Sequence, residues 1–227
     1  MPLIWKRLLN RNCRRRIKED DIVNIFPLFL SLFFASSCLA VKHGDVLPPS
    51  HPPVGGSIVR TLQYADCTGE NILVLTETDI KQSKKDGDDN AVLQSKCLHA
   101  YAFSKNGMKQ IWKVSDGVKD CPAITSIGAM HQPDSVKITD LDGDGLAEVW
   151  LAYEMWCKGD VSPSKLKVIM YEGSRKHAIR GETFLHIDGN DMGGEGIMDA
   201  AFSEAEESIR SYAKAYWKKV SHGGKAR

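Results

Sequence analysis

The stretch D-L-D-G-D-G-L-A-E, Asp140 to Glu148, is where residue types and spacing in this chain ask for specific chemistry. Carboxylates alternate at Asp140, Asp142 and Asp144, Gly143 and Gly145 stand between and after them, and Glu148 follows. A hard cation such as Ca2+ takes about six to eight oxygens. Side chains at the first, third, fifth and ninth places of a tight loop, with the backbone carbonyl of Leu146 at the seventh, supply most of them. The glycines permit the positive φ angles that let the chain wrap an ion closely. Without a cation these carboxylates repel one another, and no Lys or Arg lies inside the loop to offset them.

The spacing differs from an EF-hand, which carries its bidentate Glu at the twelfth place between helices. Here the acid comes at the ninth. Ser135-Val136-Lys137-Ile138-Thr139 precedes the loop and Glu148-Val149-Trp150-Leu151-Ala152-Tyr153 follows it. Both are rich in β-branched or aromatic residues and roughly alternating, which predicts flanking strands. The loop resembles FG-GAP or VCBS-type repeats, in which a D-x-D-G-D-G-x-x-D/E loop joins strands of a propeller-like blade and binds calcium. The resemblance implies calcium held by Asp140, Asp142, Asp144, Leu146 and Glu148. The bland alternative is an Asp/Gly-rich turn without an ion. An ion here is architectural rather than catalytic, because protein ligands leave little room for substrate.

Other chemistry is sparse. There is no nucleophile elbow, no phosphate-binding glycine loop and no H-E-x-x-H, and the seven histidines are scattered. The acidic pairs Glu148 with Glu154, and Asp160 with Glu172, are the candidates for a glycosidase acid and base. They define the alternative function, an envelope glycan-active enzyme using carboxylates near Glu148 to Asp160. Of the six cysteines, Cys13 falls in the leader and Cys38 at its end, leaving Cys67, Cys97, Cys121 and Cys157 without zinc spacing. Two disulfides fit an exported chain, in three connectivities, with Cys67 to Cys97 and Cys121 to Cys157 preferred. Four buried thiols are the cytosolic alternative.

The elements that must position these groups follow from the rest of the chain. With 227 residues, 42% hydrophobic, 26% charged and a net charge of +1, the chain suits one globular domain plus a leader, with no reason to expect nucleic acid as partner. Residues 1–40 read as a signal peptide or lipoprotein leader: a basic run with Arg14-Arg15-Arg16, an apolar segment from Ile22 to Phe34, then Ala35-Ser36-Ser37-Cys38-Leu39-Ala40. Cleavage before Cys38 would make it the lipidated first residue and anchor the protein to a membrane. Cleavage after Ala40 is the ordinary alternative, and both stay open. Residues 41–57, with Pro48-Pro49 and Pro52-Pro53, read as a Pro-rich linker.

A single β-rich domain is expected over residues 58–222. Asp66-Cys67-Thr68-Gly69-Glu70-Asn71 leads into Ile72-Leu73-Val74-Leu75 much as the Asp140 loop leads into Val149-Trp150-Leu151. Leu98 to Phe103 answers Leu166 to Tyr171, and Lys109 to Val114 answers Lys176 to Arg180. Two loop-strand-strand-strand units result, with a period of roughly seventy residues. Two units cannot close a propeller, so a sandwich or a partial propeller-like stack is predicted. Lys81 to Asn90 reads as a charged hairpin tip. Near the end, Phe202, Ala205, Ile209, Tyr212, Ala213, Tyr216, Trp217 and Val220 recur at helical spacing, predicting one amphipathic helix over 198–220 that covers a sheet face.

The order of the second unit is similar to a family of uncharacterised bacterial exported proteins, one branch of which carries the label of surface polysaccharide biosynthesis. It runs D-L-D-G-D-G-L-A-E, then Cys157-Lys158-Gly159-Asp160-Val161-Ser162-Pro163, Lys167 to Gly173 and Ala178-Ile179-Arg180-Gly181. The resemblance implies export to the periplasm or outer surface of a bacterium and a loose link to the envelope. The function expected is therefore a non-enzymatic, calcium-stabilised binding or accessory module of the cell envelope. Its expected partner is an envelope ligand or an envelope protein, with polysaccharide as one candidate ligand.

Overall fold

A computed structural model describes residues 40–43, 51–85 and 87–223. The leader, including Cys13 and Cys38, lies outside the described residues, apart from Ala40. The fold is mainly β with a C-terminal helix. One antiparallel sheet contains β1 (Ala40–His43), β2 (Ser57–Asp66), β3 (Gly69–Glu77), β4 (Lys81–Lys85), β5 (Asp88–Ser104) and β6 (Lys109–Pro122), in the order β1-β2-β3-β5-β4 with β6 also on β5. The other contains β7 (Ser126–His131), β8 (Lys137–Thr139), β9 (Glu148–Lys158), β10 (Lys165–Glu172), β11 (Arg175–Glu182) and β14 (Gly196–Met198). Its order is β14-β11-β10-β9-β7, with β8 also on β9. A small ribbon of β12 (Leu185–Ile187) and β13 (Asn190–Met192) stands between β11 and β14 in sequence.

The two expected units are two antiparallel meanders. β3, β5 and β6 correspond to β9, β10 and β11, and β4 with its charged turn is an insertion in the first unit. Their inner faces pack together as a sandwich. Leu73, Leu75, Leu98, Ala100, Ala102, Trp112 and Val114 of the first sheet meet Val149, Leu151, Tyr153, Ile169, Tyr171 and Ala178 of the second. Trp112 stacks on Tyr171 with ring centroids 4.3 Å apart. The alternation demanded by the pleat leaves the even residues of β9 and β10 on the other face. There Trp150, Ala152, Leu166, Val168 and Met170 form a second core with the helices.

The helical layer differs in detail from the expectation. Residues 196–198 are strand β14, and the helix is broken into α1 (Ala200–Ser203) and α2 (Glu207–His222). Asp199 caps α1 by accepting the Phe202 amide at 3.1 Å. Glu207 in the first turn and Lys219 and His222 in the last suit the dipole of α2. Ile209, Ala213, Tyr216, Trp217 and Val220 are buried, as the periodicity predicts. Each such large apolar side chain stabilises the layer by about 1.5–3 kcal/mol. Among the described residues no helix is long and apolar enough to cross a membrane.

The stretch expected to be a linker is partly built into the domain. Ala40–His43 pairs with residues 62–65 of β2. Val54 packs on Ile72, Val74, Tyr101 and Phe103, and the Gly55 amide donates to the Tyr101 hydroxyl at 2.9 Å. The outer face of the first sheet is apolar there and needs a cover, which an extended Pro-rich segment supplies without competing for ladder hydrogen bonds.

Candidate metal centre

The loop from Asp140 to Ala147 closes between β8 and β9, which pair directly through Thr139 and Glu148. Gly143 and Gly145 have φ of 72° and 85°, a region that glycine enters at little cost. The carboxylates fold the loop by accepting its amides: Asp144 accepts from Leu146 at 2.8 Å, Asp142 from Asp144 at 3.3 Å and Asp140 from Gly145 at 3.4 Å. One oxygen from each of Asp140, Asp142 and Glu148 lies within 4.8 Å of the others. The same holds for Asp142, Asp144 and Glu172. The acidic cluster could therefore hold a metal ion.

Glu148 is fully buried. Its carboxylate accepts from the Leu141 amide at 2.8 Å and from the Thr139 hydroxyl at 2.6 Å, and the Thr139 oxygen in turn accepts from the Trp150 indole at 2.8 Å. That chain ties the site to the helix-side core, because Trp150 packs against Phe202, Tyr212 and Tyr216. Burial pushes the Glu148 carboxyl up, the bonds from Thr139 and Leu141 pull it down, and Asp142 and Asp140 push it up again. A cation would reverse the balance by favouring the charged form.

Glu172 is the ligand candidate that the metal pattern of the sequence omitted. It lies at the end of β10 directly opposite Glu148 on β9, so both acids point to the helix side of the sheet. The signal was available only in the hairpin register: aligning β9 with β10 puts the two acids face to face. Leu146 stands in the loop with its amide on Asp144. From the first sheet, Cys67 donates its amide to the Gly145 carbonyl at 2.8 Å, and Asp66 faces the Ala147 amide at 3.5 Å. The corresponding loops of the two units thus meet, and the acidic loop fastens one sheet to the other.

The proposed acid and base pairs are not brought together. Glu148 and Glu154 are six steps apart on one strand, roughly 20 Å at strand rise. A glycosidase needs about 5–10 Å. Glu154 instead accepts from Gln132, whose amide also reaches the Val220 carbonyl on α2. Asp160 lies in the turn between β9 and β10, where Ser162 donates to it, at the opposite end of β10 from Glu172.

Cys121 and Cys157 form a disulfide with Cα atoms 5.7 Å apart, joining the end of β6 to β9. The other preferred bridge is not formed. Cys67 stands in the β2–β3 turn against Gly145, whereas Cys97 lies within β5 opposite Gly117. The chain-order pairing of neighbours fails because the β2–β3 turn and the middle of β5 are at different heights in the sheet. Comparison of the chain with known family models, with curated proteins and with solved structures finds no match.

Proposed function

We propose that this chain is an exported, non-enzymatic β-sandwich module of the bacterial cell envelope in which a calcium ion orders the loop that fastens the second sheet to the first. The observation that carries the reading is the meeting of five carboxylates at one end of β9 and β10. Three come from the loop and two, Glu148 and Glu172, from opposed strand positions. Burying opposed carboxylates without a counter-charge is costly, and a hard divalent cation with oxygen ligands is the chemistry that offsets it. Calcium suits the site better than magnesium, because irregular carboxylate sets match its larger, flexible coordination.

The resemblance of the loop to FG-GAP and VCBS repeats supports the same ion. The Cys121–Cys157 bridge supports an oxidising compartment, and with the leader it supports export. The role is to present a rigid sandwich, with envelope polysaccharide or an envelope protein as ligand. Calcium titration of the full chain by calorimetry tests the ionic part: binding that Asp142→Ala removes and that magnesium does not reproduce is expected. Heat indistinguishable from dilution would overturn it.

A further inference from the structure

The two sheets of the sandwich are staggered, and the stagger leaves a ledge. β6, an edge strand of the first sheet, lies over β9 and β10. Trp112 stacks on Tyr171, and Asp116 accepts from the Tyr153 hydroxyl at 2.9 Å and pairs with Lys167 at 2.5 Å. Beyond β10, the second sheet continues into β11 and β14. On its inner face there, register puts Arg180 opposite Lys167 on one side and opposite Ile197 on the other, with Lys176 two pleat repeats away, beyond Ala178, beside Tyr171. Lys176 and Arg180 are exposed, and Ile197 is 80% exposed.

The charge of this ledge is unbalanced. Lys167 and Arg180 are like charges placed directly across two strands, an arrangement that costs stability unless an anion lies between or above them. Asp116 pairs directly with Lys167, and its charge reaches Lys176 only at longer range. Among the described residues neither Lys176 nor Arg180 has a carboxylate at ion-pair distance. Partial desolvation of its ammonium holds the Lys176 pKa below its usual range, Arg180 and Lys167 lower it further, and the charges of Asp116 and Asp199 offset only part of this.

Bordering the space above the ledge, β6 runs for 14 residues and pairs among the described strands with β5 alone. Its Trp112 and Val114 face inward and its Lys113 and Ser115 outward. Its other edge therefore carries main-chain donors and acceptors in the plane of the first sheet. A strand added there would sit about 5 Å outward from β6, at the roughly 10 Å spacing of packed sheets above β11 and β14. Its inward side chains would fall on Lys176, Arg180 and Ile197.

We propose that this edge accepts an extended segment of a partner protein whose inward positions alternate acidic and apolar residues. Main-chain pairing to β6 supplies affinity, and carboxylates on Lys176 and Arg180 supply register and choice of partner. The chain's own basic leader has the wrong sign for this ledge. The proposed cation would lie at the other face of the second sheet, where Glu148 and Glu172 point, so this edge does not depend on it.

Calorimetric titration of the full chain with a synthetic peptide alternating Glu and Val tests it. Controls are the Lys/Val counterpart and a Glu/Val peptide N-methylated at every second residue. The Glu/Val peptide is expected to bind, and the Lys/Val peptide is not. N-methylation should weaken binding at least tenfold, and Lys176→Glu with Arg180→Glu should reverse the sign preference. Arg180→Gln alone should weaken the Glu/Val peptide several-fold and guards against misfolding of the double variant. No binding of the Glu/Val peptide, or binding indifferent to the substitutions, overturns the proposal. So does N-methylation without effect while polygalacturonate competes, which would mark a polyanion site. A peptide-free dimer dissolved by Arg180→Glu would give the edge to a second copy and overturn it equally.

Discussion

Glu148 on β9 and Glu172 on β10 are direct cross-strand neighbours, and both are buried. Like charges opposed in this way destabilise a ladder by up to about 1 kcal/mol at exposed sites and more when buried. The acidic loop folds over the pair. The arrangement makes sense as half of a cation cage built by the sheet, with the loop supplying the rest.

Glu172→Gln should accordingly act in opposite directions with and without calcium. In chelator the variant is expected to melt above the wild type, because one opposed charge is gone. In millimolar calcium it should melt below it, with binding weakened at least tenfold. Thermal melts of both proteins in both buffers decide this, and equal shifts in the two buffers would remove Glu172 from the cage.

The disulfide joins strands of different sheets across a separation of 36 residues. Chain entropy alone gives such a bridge roughly 4 kcal/mol, and measured bridges commonly give about 2–4 kcal/mol. Cys121→Ser with Cys157→Ser, or reduction, should lower the denaturation midpoint by a corresponding amount. Cys97→Ser should leave it nearly unchanged. Urea titrations of the three proteins check both statements.

His177 on β11 is buried in the helix-side layer against Phe202, ring centroids 5.1 Å apart. Neither of its ring nitrogens has a hydrogen-bond partner among the described residues. Burial holds its pKa below the usual histidine value and Arg175 lowers it further, with Asp199 and the nearby Ala201 backbone offsetting only part of this. The unfolded chain therefore binds the proton first: stability is full above about pH 6.5 and falls as pH drops below that. His177→Leu should flatten the decline between pH 7 and pH 5. It should also cost little at neutral pH, since a buried polar group without partners is lost. Melting temperatures of wild type and variant across that range provide the check, and an unchanged slope would sink the assignment.

Gly196 lies beneath Trp217, so close that an added Cβ would sit 2.3 Å from the indole. Its φ is not in the left-handed region, so the constraint is contact alone. Gly196→Ala should push α2 from the sheet and cost about 1–3 kcal/mol. Trp217→Ala, removing the side chain that fills the space, should cost about 3–5 kcal/mol. Chemical denaturation of the two single variants and the double tests this. The double variant should cost less than the sum.

Much of this was legible in the chain. The alternation around Val149 to Tyr153 and the three-four spacing from Phe202 to Val220 are local signals, and local periodicity is what a sequence carries most directly. The Asp140 loop was legible as an acidic cluster because its carboxylates are nearly contiguous. Glu172 was not, because its partnership with Glu148 exists only once a hairpin register is chosen. The break at residues 204–206 has no local signal in the chain, because Glu204, Glu206 and Glu207 are good helix formers. The same reasoning covers Cys67 and Cys97: even cysteine counts suggest bridges, but strand heights decide them. The ledge over β11 depends on the stagger of two sheets, which no single segment encodes.

We propose that a cation held at Asp140, Asp142, Asp144, Glu148 and Glu172 orders the loop that fastens the two sheets together. The most direct measurement is the melting temperature of the full chain in excess chelator and then in millimolar calcium, for wild type and Asp142→Ala. At a hundredfold excess over the dissociation constant, binding to the folded state alone adds about 2.7 kcal/mol, or roughly 5–10 °C for a domain of this size. The account predicts that rise in the wild type and its loss in Asp142→Ala. Equal melting of wild type in chelator and calcium would contradict it and reduce the loop to a turn.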